Sequence, residues 1–262
     1  FNLRLGSQVI TWGEAYFTPG INGLQNRADL IARNTPGVEV KEILLPTGAL
    51  YGQFDVMTDL TFEAYYQYEW KKVELNGVGS YFSDRDFLGP GAVNFLIPLG
   101  SPDNLIAIPR TADEAASDSG QWGAALHWIV LGDTDIGLYY INAHSKAPAY
   151  QITLPENGSP IPESYTIRYF EDIQGYAASF TTVLANTNIQ GEVSFKTDVP
   201  VVLLSGDPVE GDLASYQLGG SYVFEPTKLW DDANLTFELA GAYITSEDSA
   251  DLTYDDHGTV IN

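Results

Sequence analysis

Polar and apolar residues alternate along much of this chain with a period of two, the mark of strands whose two faces meet unlike surroundings. Over 60–72, Leu60, Phe62, Ala64, Tyr66, Tyr68 and Trp70 share one face. Thr61, Glu63, Tyr65, Gln67, Glu69 and Lys71 share the other. Segment 188–196 sets Ile189, Gly191, Val193 and Phe195 against Asn188, Gln190, Glu192, Ser194 and Lys196. Segment 234–243 sets Leu235, Phe237, Leu239, Gly241 and Tyr243 against Asn234, Thr236, Glu238, Ala240 and Ala242. Weaker alternation at 1–12, 48–56, 121–131, 134–144, 166–184 and 213–225 brings the predicted strands to nine. Several exceed the ~5–6 residues usual in soluble sheets. They match the ~9–11 residues a tilted strand needs to cross a bilayer.

Aromatic residues gather near the predicted strand ends: Trp12 and Tyr16, Tyr68 and Trp70, Trp122 and Trp128, Tyr139 and Tyr140, Tyr222 and Trp230. Membrane barrels carry such residues as girdles at both interfaces. The connections alternate in length. Short ones fall at 57–58, 132–133, 185–187 and 226–232; long ones fall at 13–47, 74–120, 145–165, 198–212 and from 246. Short periplasmic turns and long outer loops produce that order in a barrel. The fold expected is therefore all-β: an antiparallel, porin-like transmembrane β-barrel, with 1–262 forming part of one barrel domain. Nine strands is an odd number, whereas bacterial single-chain barrels are normally even. Phe1 opens directly in alternation with no secretory signal, so a mature form or a piece of a larger barrel is expected.

If the apolar faces meet lipid, the polar faces line a lumen. The candidates are Arg4, Gln8, Glu63, Gln67, Glu69, Lys71, Gln190, Glu192, Lys196 and Glu238, with Arg168 and Gln174 less fixed in phase. Charges of both signs there would set selectivity in a pore or fill a plugged interior. In the first long segment, Leu24, Arg27, Ala28, Leu30 and Ile31 suit a short helix capped by Asn22 and broken at Pro36-Gly37. The apolar patch Phe95-Leu96-Ile97-Pro98-Leu99 in the second would either fold into the barrel mouth or pack on a neighbouring loop.

Composition narrows the chemistry. Lys and Arg total 12 against 35 Asp and Glu, a net charge of −23, which excludes a nucleic-acid partner. The absence of Cys excludes disulfides and thiolate chemistry. No phosphate loop or nucleophile elbow is present, so no enzyme activity and no cofactor are expected. His127 and His144 flank a predicted hairpin, but mirror pairing puts His127 near residue 138, which argues against a metal pair. The acidic tail with Asp248, Asp251, Asp255 and Asp256 offers oxygen ligands suited to calcium, without the spacing of a calcium-binding helix-loop-helix.

Four stretches resemble a known family: Gly6-Ser7-Gln8-Val9-Ile10-Thr11-Trp12-Gly13-Glu14 with Pro19-Gly20-Ile21-Asn22; Pro36-Gly37-Val38-Glu39-Val40-Lys41-Glu42; Glu63-Ala64-Tyr65-Tyr66-Gln67-Tyr68-Glu69-Trp70; and Tyr81-Phe82-Ser83-Asp84-Arg85-Asp86-Phe87-Leu88-Gly89. The family is a proteobacterial outer-membrane group, domain of unknown function 1302. The likeness is specific over roughly 4–90. It implies a full barrel longer than this chain, in the outer membrane of a Gram-negative bacterium, in contact with lipid and lipopolysaccharide. It further implies a periplasmic lipoprotein-like partner and an RND-type transporter, and hence the handling of lipids or other hydrophobic compounds. The family supplies no catalytic residues. The function expected is passive passage or transfer of a small, hydrophobic or amphiphilic solute. The alternatives are a plugged barrel or surface scaffold binding lipopolysaccharide, divalent cations or a protein, and a soluble carbohydrate-binding β-protein.

Overall fold

The computed structural model describes residues 1–247 except 37, 39, 84, 131, 203–207 and 229. It contains one nine-stranded antiparallel sheet whose strands neighbour one another in chain order. They are β1 (Asn2–Gln8), β2 (Thr47–Met57), β3 (Leu60–Gln67), β4 (Gln121–Val130), β5 (Thr134–Ala143), β6 (Ile173–Leu184), β7 (Thr187–Val202), β8 (Pro208–Phe224) and β9 (Ala233–Glu247). All nine strands expected from periodicity are present. Among the described residues β1 and β9 do not pair with each other, so the sheet is open, as suits part of a larger barrel.

The parity of the sheet follows the alternation in the sequence. One face carries exposed apolar side chains, among them Leu3, Phe62, Trp128, Leu138, Val193 and Leu239. We call it the outer face. The opposite, inner face is covered by the segment that follows β1. There the chain forms its main core, which brings Ile10, Trp12, Ile21 and Leu24 together with Tyr51, Tyr65, Tyr139, Ile141 and Ile173.

Several boundaries differ from the sequence reading. β3 ends at Gln67: the Tyr68 N–H still donates to Gly48 O, but the Gly48 N–H turns to the Glu69 carboxylate at 2.9 Å, and Glu69 also pairs with Lys71 at 2.6 Å. Outside 203–207, segment 198–212 is strand rather than loop. β7 continues to Val202 and β8 begins at Pro208, through a register shift between Lys196 and Val199 where Asp198 takes φ of 60°. That shift changes the parity, so that Val199 and Val201 join the core. Segment 166–184 splits at Asp172, also at positive φ, into Ser164–Arg168 and β6. The helix expected over 24–31 is a single turn, α1 (Asn22–Gln25), because Arg27–Ala28 pairs instead with Leu44–Leu45.

The connections between β3 and β4 and between β5 and β6 build a joint cap. Asn94–Leu99 pairs with Ser101–Pro109, and Ala149–Thr153 pairs with Ser164–Arg168. Phe95 and Ile97 pack there against Ile108, Tyr165 and Ile167. Of the two expectations for this apolar patch, the structure has the loop packed on its neighbour.

Candidate functional site

The inner face is occupied by residues 9–26, which we call the arm. It runs from the end of β1 across the sheet to β9 and back. Its root is fixed by reciprocal bonds: Ile10 N–H donates to Asn26 Oδ1, and Asn26 Nδ2 donates to Ile10 O at 2.6 Å. Trp12 lies over Tyr65 and Tyr139, with ring centroids 5.0 and 6.0 Å away, and its Nε1 donates to Glu63 at 2.7 Å. Gln67 Nε2 donates to Gln25 O at 2.8 Å.

Room for the arm comes from bare backbone in the wall. A Cβ on Gly123 of β4 would stand 2.7 Å from Tyr65 Cε1 and 2.8 Å from Trp12 Cζ3. One on Gly175 of β6 would stand 2.5 Å from Leu24 Cδ1 and 2.8 Å from Ile21 Cδ1. Both distances lie well inside the ~3.5–4.0 Å at which carbon atoms rest against each other.

The tip is held by charge. Glu192 of β7 accepts the N–H of Glu14 at 3.2 Å and of Ile21 at 2.7 Å. Glu238 of β9 accepts those of Tyr16, Phe17 and Thr18 at 2.7, 3.2 and 2.9 Å. Lys196 Nζ donates to Gly20 O at 2.7 Å, and Gln190 Nε2 donates to Glu14 O at 3.0 Å. Charge-assisted bonds of this kind are roughly twice as strong as neutral ones. Between root and tip, Glu14 itself lies among acidic neighbours. Burial first, then the charges of Asp135 and Glu192, raises it to about 7, with His127 acting the other way.

The lumen candidates from the sequence fall into three groups. Glu63, Gln67, Gln190, Glu192, Lys196 and Glu238 touch the arm through the bonds above. Arg4 and Gln8 share the inner parity: Arg4 lies 4.0 Å over the Tyr51 ring, and Gln8 Nε2 donates to Ala49 O. Glu69 and Lys71 sit beyond the end of β3 and do not line the wall. Of the two residues less fixed in phase, Arg168 stacks on Phe170 in the cap, and Gln174 accepts from the outer-face Tyr176 hydroxyl. Asp248, Asp251, Asp255 and Asp256 lie outside the described residues, as does His257.

The aromatic positions separate in the same way. Trp122, Trp128, Tyr222 and Trp230 are exposed, as girdle residues should be. Trp12 and Tyr139 are buried inside, and Trp70 packs edge-on against Tyr169 in the cap. His127 pairs with Gly137 and lies 3.2 Å from Asp135. His144 accepts the Asp172 N–H at Nδ1 and donates from Nε2 to Ser119 O, which fixes its tautomer. The two histidines have separate partners. Among the described residues no group of acidic or histidine side chains is arranged to hold a metal ion.

Sequence reasoning missed the arm. The available signals were the inward-facing glycines and the inward carboxylates with no cation opposite them in the ladder.

Comparison with solved structures finds the outer membrane channel DcaP of Acinetobacter baumannii, at 7% identity and a TM-score of 0.46. The match covers 94% of this chain and spans 54% of that channel's length. No curated protein matches the chain. The model of one protein family, described as a protein of unknown function (DUF1302), matches residues 1–260, and the chain belongs to that family.

Proposed function

We propose that this chain forms part of the wall of an outer-membrane β-barrel channel, whose lumen is narrowed by the arm and passes small polar or amphiphilic solutes with a preference for cations. One observation carries the reading: the face turned away from the arm is apolar and exposed, whereas the face beneath the arm is covered, apolar around Trp12 on β2–β6 and charged around Glu192, Lys196 and Glu238 on β7–β9. A membrane barrel needs that arrangement, and a soluble sheet of this width would have to cover its apolar face. The dimensions agree. From Tyr176 to Leu184 the outer face of β6 runs eight steps, or ~27 Å at ~3.4 Å per residue. A tilt of ~40° brings that to ~21 Å, close to the ~25 Å apolar band of such barrels.

The cation preference rests on the inner-face charges. Glu63, Asp135, Glu192 and Glu238 on the wall outnumber Arg4 and Lys196. No step in this reading needs a catalyst or cofactor. A periplasmic lipoprotein and an RND-type transporter remain the partners we propose from the family resemblance.

The tightness of the arm favours a second reading, a plugged barrel that serves as a surface scaffold. The full-length protein in a planar bilayer decides between them. Stable conductance, with a reversal potential showing cation selectivity in a KCl gradient, supports the channel. A heat-modifiable protein that never conducts supports the plugged barrel.

A further inference from the structure

We propose that the lumen mouth at the short-turn end of β6–β9 is a binding site for small neutral amphiphiles, compounds with a compact apolar or aromatic body and one uncharged oxygen. The site is a cavity of about 700 Å³ against the arm. Its place at a lumen mouth rests on the channel reading, but binding in it does not require conduction. The cavity is lined by Tyr16 of the arm and by Val183, Asn188, Ser221, Val223 and Pro226 of the wall and its turns. Its volume falls within the range of ligand sites.

Strand parity sets two of these side chains apart. Gly175 and Gly219 lie beneath the arm, against Leu24 and Tyr16. Val183 follows Gly175 by eight residues in β6, and Val223 follows Gly219 by four in β8. Even spacing puts both valines on the inner face. Their neighbours on that face are the polar Thr181, Asn188 and Ser221. Yet Val183 and Val223 are 57% and 58% exposed. An exposed valine on the outer face meets lipid, whereas these two meet the water of a concave site. With the Tyr16 ring and Pro226 they form apolar surface framed by polar groups, the pattern of a ligand-binding groove.

Tyr16 supplies both a fixed ring and a donor. Its N–H donates to Glu238 at 2.7 Å, and its ring rests on the bare backbone of Gly219, where a Cβ would stand 3.0 Å from Cδ2. Asn188 Oδ1 accepts from Thr181 at 3.1 Å, which turns Nδ2 to donate to the Tyr16 hydroxyl at 3.2 Å. That hydroxyl is therefore an acceptor toward Asn188, and its own proton has no acceptor among the described residues. An oxygen on a guest can take it. A ring held in place before binding loses little entropy when a guest stacks on it. Charge decides the class of guest. Tyr16, Asn188 and Ser221 are neutral, no cation lines the cavity, and Glu225 at its rim repels an anion. A neutral hydroxyl or carbonyl compound completes the Tyr16 bond while its body covers the valines.

The test is equilibrium dialysis of 2-naphthol, neutral at neutral pH, against the full-length protein in detergent, with the same detergent on both sides so that micelle uptake cancels. The comparator is 2-naphthoate, the same ring carrying a carboxylate. Saturable binding of naphthol is expected, with naphthoate weaker by about tenfold or more. Replacing both valines together, Val183→Asn with Val223→Asn, removes the apolar surface from two exposed positions and should weaken naphthol about tenfold. Tyr16→Phe keeps the ring on Gly219 and removes the donor; it should weaken naphthol about fivefold. Heat-modifiability on gels checks that the variants are folded. No saturable binding by the wild type, equal binding of naphthoate, or unchanged affinity in the folded valine variant overturns the proposal. Because dialysis reads binding without flux, a protein that binds naphthol and never conducts refutes the channel alone. A conducting protein that does not bind it refutes the site alone.

Discussion

Gly123→Val should eject the root of the arm and leave the wall standing. Gly123 pairs with Tyr65 and Ile141 on the inner face, and its missing side chain is the space in which Trp12 lies. A Cβ there would be 2.7 Å from one ring and 2.8 Å from the other, before valine adds two methyl groups. Neither ring can yield. Tyr65 and Trp12 are 4% and 3% exposed, and the Trp12 indole is tied to Glu63. Valine is otherwise a good strand residue, and the ladder bonds of β4 use only its backbone. The loss should therefore approach that of removing a buried tryptophan, about 3–5 kcal/mol. At 1.4 kcal/mol per tenfold, the undocked population rises about a hundredfold or more. Chymotrypsin, cutting at Tyr16 or Phe17, reads that population, while the heat-dependent shift on gels reads the wall. Gly123→Val and Trp12→Ala should both become cleavable with the wall shift intact. The double variant should be no worse than either single one, since both remove the same contact. A Gly123→Val arm as resistant as the wild type, or additive effects in the double variant, would refute the argument.

Phe62→Arg and Leu239→Arg place a charge on the outer face, at a cost of ~2–4 kcal/mol each if that face meets the bilayer midplane. The heat-modifiable fraction should fall, and normal assembly of both would contradict the assignment of faces. Glu63→Gln retains an oxygen for Trp12 Nε1 and should fold. In a conducting barrel it should shift the reversal potential toward zero; an unchanged potential removes Glu63 from the selectivity residues. Arm docking should also depend on pH. Glu14 titrates near 7 when docked against its ordinary 4.5, so the docked arm holds the proton more tightly. Docking therefore weakens as pH rises from about 5 to 7, by about 1 kcal/mol once its partial exposure is discounted. Lys146 runs the other way. Burial lowers it to about 7 from 10.5 while its Nζ donates to Leu24 O of the arm, so docking recovers as pH rises from 7 toward 10.5. Chymotrypsin cleavage should peak near neutrality, and Glu14→Gln should remove the acid limb. A flat wild-type profile would contradict both assignments.

The wall was legible because strand parity is a local property. Each residue reports its own face, and Leu235, Phe237 and Leu239 needed no distant partner to be placed. Parity also corrects the aromatic reading. Tyr139 and Tyr140 are adjacent in one strand, so they cannot both face lipid; the structure buries Tyr139 and leaves Tyr140 on the outer side with Tyr176. Residue type alone had placed both in a girdle. The arm was not legible because it has no period. Its partners lie far away in the chain, 178 residues between Glu14 and Glu192 and 222 between Tyr16 and Glu238. β3 was overextended for a related reason. Alternation persists through Lys71, but the ladder stops where Glu69 turns to cap Gly48, and no local pattern marks that choice.

The location of the core bears on what the arm can do. If the outer face meets lipid, the sheet gains little there from excluding water, and its hydrophobic stabilisation must come from within. Here the main cluster joins inner-face residues of β2–β7, with Ala149 and Phe170, to Ile10, Trp12, Ile21 and Leu24, all four from the arm. The arm is thus part of the core rather than an insertion into a finished pore. The apolar grip at the root and the charged grip at the tip then have different roles. Removing Trp12 takes away the packing that seats the arm on the wall, whereas releasing Glu192 and Glu238 exposes carboxylates that water can solvate. Movement of the tip about a fixed root is therefore the least costly motion of the arm. If the lumen opens further, it opens on the β7–β9 side, where Glu192, Glu238 and Lys196 hold the tip by its main chain.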